Sequence, residues 1–487
     1  MSDPVRGLSP VSLWEHFSRI SSIPRPSRKE QQVAQFILDA AAAQQLTTRR
    51  DHAGNFVVHL PASPGKEKSP CVILQSHLDM VCEKRHDVVH DFDKEPIRMV
   101  RDGDYVMADG TTLGADNGIG VAAMMSVMTD PALIHGPMEL LFTVDEETGL
   151  NGVAALDPAL ISGRMLVNLD SEEEGTLYIG CAGSRTTSVS VAAAREKAPR
   201  DFVPLQISLG GLQGGHSGLE IDKVRGNAIR LLERALWEVV TRYDVRLSRF
   251  SGGTRRNSIP REAEALLFVP AASLEDVRKE LEKQSAIIWD EWGPCAEPHV
   301  SFTIAGNDIP TDGTVLLRPD QGCILSLLRA LPTGVVGMSA AMPGSVETSL
   351  NLAVVRTEER RFVAEISMRS SVETALDDIV SRVTTIGHLV GAEVETTTGY
   401  PAWRPNPSSP LLKSAADVYR SHFGTIAVVK AIHGGLECAV IGRKAPGIDM
   451  ISFGPNIEGA HSPVERVNIA SVEKFWQLLV AVLERLT

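Results

Sequence analysis

Three apolar segments that end in charged residues constrain the fold more than any other feature of the sequence. They are VILQSHLDM at 72–80, MELLFTVDEETG at 138–149 and GRMLVNLDSEEEG at 163–175. A strand that is apolar along its whole length is buried on both faces, as in a parallel sheet covered by helices. Helical patterns alternate with these strands, and one runs from Leu13 to about Gln45. The alternation predicts an α/β fold with a mostly parallel sheet sandwiched by helices.

The middle of the chain has a different pattern. Segments such as TTSVSVAAAR at 186–195 and DFVPLQISLGG at 201–211 alternate polar and apolar residues, which is typical of an antiparallel sheet with one solvated face. We therefore predict an α/β domain formed by residues 1–185 and 400–487, interrupted by an inserted α+β domain at residues 186–399. Within the insertion, GNAIRLLERAL resembles GCILSLLRAL. This similarity has two alternative explanations, internal duplication and chance similarity between leucine-rich helices.

Composition excludes several classes of function. The chain carries 61 acidic and 48 basic residues, a net charge of −13, and lacks a Lys/Arg cluster that could bind phosphates, so nucleic acid is not an expected partner. No signal peptide pattern is present and no apolar run approaches the roughly 20 residues of a membrane span, so we expect a cytoplasmic protein without membrane contact. The six cysteines form no CxxC pair, which argues against a disulfide framework and a thiolate zinc site.

Seven ionisable residues follow the predicted strands or start the next element. Ligands of α/β proteins bind beyond the carboxyl ends of the strands, so we expect these side chains to meet in one crevice. Five carboxylates packed together without a cation would repel one another, and several would have to be protonated. Two divalent metal ions resolve this conflict. The seven residues are His77, Asp79, Asp116, Glu146, Glu147, Asp170 and His461.

Nitrogen and oxygen donors without thiolates indicate two Zn²⁺ ions, with Mn²⁺ or Co²⁺ as substitutes. Glu146 is then free to take a proton from a water that the cations activate. Asp79 lies two residues after His77, on the same face of an extended chain, and can accept the second imidazole N–H. The five predicted ligands, with Asp116 bridging the ions, are His77, Asp116, Glu147, Asp170 and His461.

Each element of this pattern also has an ordinary structural explanation. An isolated H-x-D sequence is most often a solvent-exposed polar stretch, and DEETG is a common composition for a turn after a strand. SEEEG is typical of an exposed acidic loop, so we assign no role to its three glutamates. The metal hypothesis depends on the coincidence of donor type, order and position at strand ends.

Six motifs occur in an order that closely resembles the di-zinc metallopeptidase family of aminoacylases, glutamate carboxypeptidases, carnosinases and bacterial dipeptidases. The motifs are SHLDMV, DGTTLGADNGIGVA, LLFTVDEETGL, NLDSEEEG, GGHSG and GAHSPVERV. The resemblance covers nearly the whole chain. It implies the ligand set given above, Glu146 as general base, Asp79 as the partner of His77, and a cis peptide bond between Asp116 and Asn117.

The same resemblance implies that the insertion is a lid that binds substrate. His216 in LQGGHSG is similar to the lid histidine that polarises the scissile carbonyl, while Asn257 and Arg369 are similar to residues that hold the free carboxylate of the substrate. A guanidinium suits that task because it binds a carboxylate through two hydrogen bonds. Gly435 in HGGLEC could offer a backbone amide to the substrate; alternatively, its glycines serve the turn alone.

The predicted activity is hydrolysis of unblocked dipeptides, with aminoacyl-histidine dipeptides as the substrates that the resemblance implies. Two alternatives are an N-acyl amino acid deacylase with the same metal centre and a non-catalytic metal-binding scaffold. In family members with a shorter lid, the histidine that corresponds to His216 comes from a neighbouring subunit. The longer insertion here could supply the histidine within one chain, so both a monomer and a homodimer remain open.

Overall fold

The computed structural model describes residues 4–306 and 309–487, which form two compact units. Unit 1 comprises Met1–Cys181, Trp403–Ala431 and Leu436–Thr487, and unit 2 comprises Ala182–Ala402 and Ile432–Gly435. Among the described helices, none combines the length and the apolar character that crossing a membrane requires.

In its described residues, the first part of unit 1 holds four α-helices and eight strands. The helices are α1 (Val11–Ser21), α2 (Gln31–Ala43), α3 (Ala115–Thr129) and α4 (Asn151–Ala154). The strands are β1 (Thr47–Arg50), β2 (Phe56–Leu60), β3 (Val72–His77), β4 (Met99–Asp102), β5 (Tyr105–Ala108), β6 (Met138–Thr143), β7 (Met165–Asn168) and β8 (Thr176–Cys181).

Unit 2 follows with thirteen strands and four helices in its described part. The strands are β9 (Gly183–Ala192), β10 (Arg195–Lys197), β11 (Phe202–Gly210), β12 (Gly215–His216), β13 (Arg246–Gly252), β14 (Ser258–Ile259), β15 (Ala263–Pro270), β16 (Ser301–Gly306), β17 (Thr314–Leu316), β18 (Gly334–Met338), β19 (Val346–Thr357), β20 (Arg361–Ser370) and β21 (Glu393–Thr396). The helices are α5 (Ala228–Val240), α6 (Leu274–Trp292), α7 (Arg318–Ala330) and α8 (Glu373–Leu389).

The last part of the chain forms α9 (Pro410–Phe423), β22 (Val428–Ile432), α10 (Glu437–Lys444), β23 (Asp449–Ser452), β24 (Ile457–Glu458), β25 (Arg466–Asn468) and α11 (Ile469–Arg485). Most of these elements complete unit 1, because the chain returns to it after residue 402.

The larger sheet of unit 1 has the strand order β1-β2-β6-β3-β7-β23-β8-β22, and a second sheet has the order β24-β25-β5-β4. Its four central strands, β6, β3, β7 and β23, are parallel, while β1, β2 and β8 pair antiparallel. The five residues between β1 and β2 are too few for a crossover, so this pair forms a hairpin. The α/β class is confirmed, and the parallel centre brings the carboxyl ends of β3, β6 and β7 to one edge.

The continuous helical pattern predicted from Leu13 to about Gln45 is wrong in one place. The chain leaves the helical conformation after Ser21 and resumes it at Gln31. Pro24 and Pro26 lie in the gap, and proline disfavours the helical conformation of the residue before it and cannot donate a helical hydrogen bond.

Unit 2 is built on a nine-stranded sheet with antiparallel pairing in its described ladders. Residues of β11 alternate between buried and partly exposed, as expected for a sheet with one covered face. Leu232 and Leu236 of α5, Leu281 of α6 and Ile324 of α7 belong to its hydrophobic core. The order of helix, strands, helix and strand occurs twice, from α5 to β16 and from α7 to β21. A duplication origin stays a prediction.

Candidate metal centre

Asp116 lies between two histidines of unit 1. Its Oδ1 atom is 3.1 Å from Nε2 of His77, and its Oδ2 atom is 3.0 Å from Nε2 of His461. The two histidines lie near opposite ends of the sequence. A carboxylate that presents one oxygen to each imidazole has the arrangement of a bridging metal ligand.

Each histidine has a second carboxylate beside it. Oδ1 of Asp170 lies 3.2 Å from Nε2 of His77, and Oε2 of Glu147 lies 3.1 Å from Nε2 of His461. The structure therefore holds two adjoining sets of candidate ligands that share Asp116. The first is His77, Asp116 and Asp170; the second is Asp116, Glu147 and His461. Within each set, the candidate ligand atoms lie within 4.8 Å of one another.

The positions of these residues follow from the sheet. His77 ends β3, Asp170 follows β7 by two residues, and Glu147 lies in the turn after β6. Asp116 lies at the start of α3, where the peptide bond to Asn117 is cis as predicted. The Asn117 side chain donates a hydrogen bond to Asp170 over 2.5 Å. Asn117 therefore orients Asp170, which is itself a candidate ligand.

His461 reaches the cluster from a loop near the end of the chain. Its backbone has a φ of 62°, in the left-handed region that non-glycine residues seldom adopt. In this conformation the imidazole of His461 contacts Asp116 and Glu147. Such backbone conformations concentrate at functional sites.

Asp79 has more contacts than the sequence predicts. Its Oδ1 atom is 3.4 Å from Nδ1 of His77, which also lies 3.2 Å from the Asp79 carbonyl oxygen. The same carboxylate accepts hydrogen bonds from the backbone amides of Glu146 and Glu147, at 3.0 and 3.1 Å. Burial opposes its ionisation, yet contact with His77 lowers the pKa of Asp79 to about 2. One ionised carboxylate thus orients His77 and fixes the turn after β6.

Electrostatics in the cluster show how strongly the groups interact. Hydrogen bonding to Asp116, and to a smaller extent to Glu147, raises the pKa of His461 to about 11. Burial raises the pKa of Asp170 to about 6. Burial alone would lower the pKa of His77, but the neighbouring carboxylates raise it well above its usual value. In the absence of a cation, protons therefore compensate the crowded negative charge.

This donor set fits divalent metal ions. Two imidazoles and two further carboxylates are arranged around the shared Asp116, and one oxygen of Glu147 is buried without a hydrogen-bond partner in the described residues. Nitrogen and oxygen donors suit Zn²⁺, Mn²⁺ or Co²⁺. Unpaired buried oxygens are costly, and a cation would remove that cost.

Glu146 lies next to this cluster. With His77 and Glu147 it forms a third set of neighbouring donor atoms. Burial is the main cause that raises the pKa of Glu146 well above its usual value, and the charges of Asp170, Glu147 and Glu437 add to the effect. A raised pKa makes a carboxylate a better proton acceptor, as a general base requires.

Glu437 is a buried carboxyl group that the sequence did not indicate. Its Oε2 atom accepts hydrogen bonds from Nε2 of Gln75 at 2.5 Å and from Oγ1 of Thr143 at 2.7 Å. Gln75 and Thr143 lie on β3 and β6, immediately before the chain reaches His77 and the turn with Glu146. Burial raises the pKa of Glu437 to about 8. Polar residues inside an otherwise apolar strand, such as Gln75, were the available signal.

The predicted substrate-binding residues His216 and Asn257 come together in unit 2. Strands β12 and β14 pair His216 with Ser258, and the amide of Ser217 donates a hydrogen bond to the carbonyl oxygen of Asn257 over 2.8 Å. Nδ1 of His216 accepts hydrogen bonds from the amides of Gly218 and Leu219, at 3.2 and 3.0 Å. The loop around His216 therefore fixes the orientation of its ring.

Arg369 lies in the same part of unit 2. It is buried, its Nη1 atom donates a 2.7 Å hydrogen bond to the Tyr400 hydroxyl, and its Nε atom lacks a partner among the described residues. A Cβ atom built on Gly218 would lie 3.0 Å from that Nε atom. A Cβ on Gly435 would lie 2.8 Å from the Tyr400 ring. The structure thus assembles His216, Asn257, Arg369 and Gly435 around Tyr400 and the Gly218 turn.

Comparison with known proteins shows similarity to a family of peptidases. The sequence model described as Peptidase family M20/M25/M40 matches residues 73–485. The chain is 39% identical to the cytosol non-specific dipeptidase of Escherichia coli (strain K12) over 479 residues, 98% of each chain. The structure of an aminoacylhistidine dipeptidase from Vibrio alginolyticus matches with a TM-score of 0.89 and 38% identity, covering 99% of this chain and 98% of that one. Human carnosine dipeptidase 1 shares the fold, with a TM-score of 0.51, 13% identity and coverage of 97% and 96%.

Proposed function

We propose a function from one premise: the chain belongs to peptidase family M20/M25/M40, and it is a metal-dependent hydrolase of peptide bonds. Within that activity, we propose that it is a dipeptidase for unblocked dipeptides, including aminoacyl-histidine dipeptides. Support comes from two full-length relatives, one named a non-specific dipeptidase and the other an aminoacylhistidine dipeptidase.

The proposed cofactor is a pair of Zn²⁺ ions, with Mn²⁺ or Co²⁺ as substitutes. One observation carries this proposal: the two carboxylate oxygens of Asp116 face different imidazoles, at 3.1 and 3.0 Å. In this assignment, His77 and Asp170 hold one ion with Asp116, while Glu147 and His461 hold the other. When bound, such ions lower the pKa of a water molecule and polarise a peptide carbonyl.

Glu146 is the proposed general base. Its carboxylate takes a proton from the attacking water and later passes that proton to the nitrogen of the leaving amine, so the group returns to its starting state. Asp79 supports this step because its carboxylate accepts hydrogen bonds from the backbone amides of Glu146 and Glu147 and so holds the turn that carries Glu146. It also orients His77 through Nδ1.

The proposed substrate-binding residues are His216, Asn257, Arg369 and Gly435. A buried guanidinium with an unpartnered N–H suits the carboxylate of a dipeptide, because charge-assisted hydrogen bonds to guanidinium are strong. His216 suits donation to the carbonyl oxygen as negative charge develops on it, and removal of such a donor commonly costs about 3 to 4 kcal/mol of transition-state stabilisation.

A substrate panel combined with elemental analysis tests this function. We expect two equivalents of metal per chain and turnover of a β-alanyl-histidine and an α-aminoacyl-histidine dipeptide with free amino groups. An N-acetylated dipeptide of the same sequence separates the deacylase alternative, since a dipeptidase should prefer the free amine. A metal-loaded protein that hydrolyses neither form would instead be a binding scaffold.

We further propose that the protein acts in the cytoplasm, in line with the name of its E. coli relative. Its oligomeric state, monomer or homodimer, stays a prediction that analytical ultracentrifugation can resolve.

A further inference from the structure

We propose that Arg25 and Glu465, neither of which is a candidate metal ligand, hold three ligand-bearing segments in the geometry that binds the metal ions. This inference rests on the proposed metal centre. The three segments are 77–80 with His77, 113–116 with Asp116, and 461–465 with His461. In this proposal Arg25 and Glu465 are positioning residues that act through backbone groups.

Glu465 binds the segment that ends in Asp116. Its Oε2 atom accepts hydrogen bonds from the amides of Leu113 and Gly114, at 2.7 and 2.9 Å. Its Oε1 atom accepts hydrogen bonds from the amides of Ala115 and Asp116, at 2.8 and 3.3 Å. Four consecutive amides thus converge on one buried carboxylate.

Glu465 also connects Asp116 to His461, which lies only four residues earlier in the chain. A displacement of Glu465 would move the loop of His461 and the backbone of Asp116 together. These two residues face each other across 3.0 Å, and Asp116 belongs to both ligand sets. Glu465 therefore controls the spacing of ligands in the second set.

Arg25 connects the segment of Asp116 to the segment of His77. Its Nη1 atom donates to the carbonyl oxygens of Leu78 and Asp79, both at 3.0 Å, and its Nη2 atom donates to the carbonyl oxygen of Gly114 at 2.5 Å. Leu78 and Asp79 directly follow His77. Arg25 therefore controls the spacing of ligands in the first set.

Gly114 is where the two positioning residues meet. Its carbonyl oxygen accepts from Arg25 and its amide donates to Glu465. The residue has a φ of 70°, and a Cβ atom there would lie 2.8 Å from Sδ of Met80. Only glycine fits both the conformation and the space, which explains the glycine of TTLGADNG.

The contacts indicate a role at the metal centre instead of general stabilisation of the fold. All the bonds just given go to residues 78–79 or 113–116, each within three positions of His77 or Asp116. Burying a guanidinium and a carboxylate is unfavourable unless their hydrogen bonds are satisfied. Backbone groups beside the ligands pair with both carboxylate oxygens of Glu465 and with Nη1 and Nη2 of Arg25, while Nε of Arg25 is buried without a partner among the described residues.

Competition for zinc with a chromogenic chelator tests the proposal on the full-length protein. The variants are Glu465→Gln, Arg25→Met and the double variant, and the control is Glu458→Gln. Glu458 lies near the same loop but is exposed and pairs with Arg466. Thermal unfolding of each metal-free variant is followed by circular dichroism.

We expect each single variant to bind at least one zinc ion about 10- to 100-fold more weakly, as is usual for residues that orient metal ligands. Glu458→Gln should stay within twofold of the wild type. The double variant should lose less than the product of the single effects, because both residues act on the same segment.

Two results would overturn the inference. One is zinc affinity within twofold of the wild type in both single variants. The other is loss of cooperative unfolding in both metal-free variants, which would mean that the residues maintain the fold itself. If the wild type binds no zinc, the proposed function fails too; two bound ions with unaffected variants reject this inference alone.

Discussion

The side-chain amide of Gln75 donates a hydrogen bond to the carboxyl group of Glu437 over 2.5 Å inside unit 1. The bond links strand β3, which ends in His77, to the first turn of α10. Both residues are buried, so the state of this carboxyl group affects the stability of the region under the metal centre.

Glu437 should make the stability of the metal-free protein depend on pH. Burial raises its pKa from 4.5 to about 8, so the folded protein retains a proton that the unfolded chain releases. Its contribution to stability is therefore lost as pH rises between these values, by about 1.4 kcal/mol per pH unit. Glu437→Gln should unfold with a smaller slope from pH 6 to 8 in urea titrations, whereas the exposed-site control Glu458→Gln should retain the wild-type slope. Equal slopes in all three proteins would show that Glu437 titrates normally.

Substitutions at Glu146 and Glu147 should separate chemistry from metal binding. Glu146→Gln should lower kcat by about 10² to 10⁴, the usual contribution of a general base, while metal content stays at the wild-type level. Glu147→Gln should lower metal content, since it removes a candidate ligand of His461's set. Steady-state kinetics and elemental analysis of the two neighbouring variants provide the comparison. Full activity of Glu146→Gln would exclude it as the base.

Metal binding should release protons and weaken in acid. In the metal-free protein the pKa of His461 is raised from 6.5 to about 11, so its imidazole is protonated at pH 8 and must lose that proton to bind a cation. Asp170, with a pKa of about 6, adds to the competition at lower pH. Calorimetric titration with Zn²⁺ in buffers of different ionisation enthalpy should show release of about one proton or more at pH 8. Proton-independent binding would contradict this electrostatic account.

The same histidine should stabilise the metal-free protein most at low pH. Because its folded pKa lies above the ordinary value, its stabilisation is complete below about pH 6.5 and is lost as pH rises towards 11. His461→Gln should therefore reduce the fall in metal-free Tm between pH 7 and 9. Differential scanning calorimetry with and without a chelator measures the effect.

Arg369 should determine affinity for the free carboxylate of the substrate. Arg369→Lys keeps the charge but loses the planar pair of donors, and we expect kcat/KM to fall about 10- to 100-fold, corresponding to a charged hydrogen bond of roughly 1.5 to 3 kcal/mol. The loss should appear for a dipeptide but not for its C-terminal amide, which already lacks the carboxylate. Arg382→Lys, at an exposed ion pair with Asp378, is the matched control. An equal loss for both substrates would remove Arg369 from carboxylate recognition.

Much of the architecture follows from local sequence patterns. The wholly apolar strands predict the parallel centre of the sheet, and the shared edge of parallel strands explains why His77, Glu147 and Asp170 meet. β1 and β2 pair antiparallel because only five residues connect them. The apolar pattern of the strands does not predict this direction of pairing. The roles of the predicted site residues stay predictions, although the structure brings them into two clusters.

Other residues could not be predicted because their partners are remote in sequence. Arg25 lies in a segment with a helical pattern, yet in the structure it falls between α1 and α2 and contacts Leu78 and Gly114. Glu465 finds its four amide partners about 350 positions earlier in the chain. Pairing of this kind depends on how strands and loops assemble, and a single sequence carries no periodic signal for it.

The two amides that bind Nδ1 of His216 determine which tautomer this residue adopts. Since Gly218 and Leu219 both donate to Nδ1, that nitrogen carries a lone pair and the ring proton resides on Nε2. Under the proposed function, a ring held in this form would present its Nε2–H to the carbonyl oxygen of the substrate. Under the proposed function, proton transfer during turnover would then fall to Glu146 of unit 1.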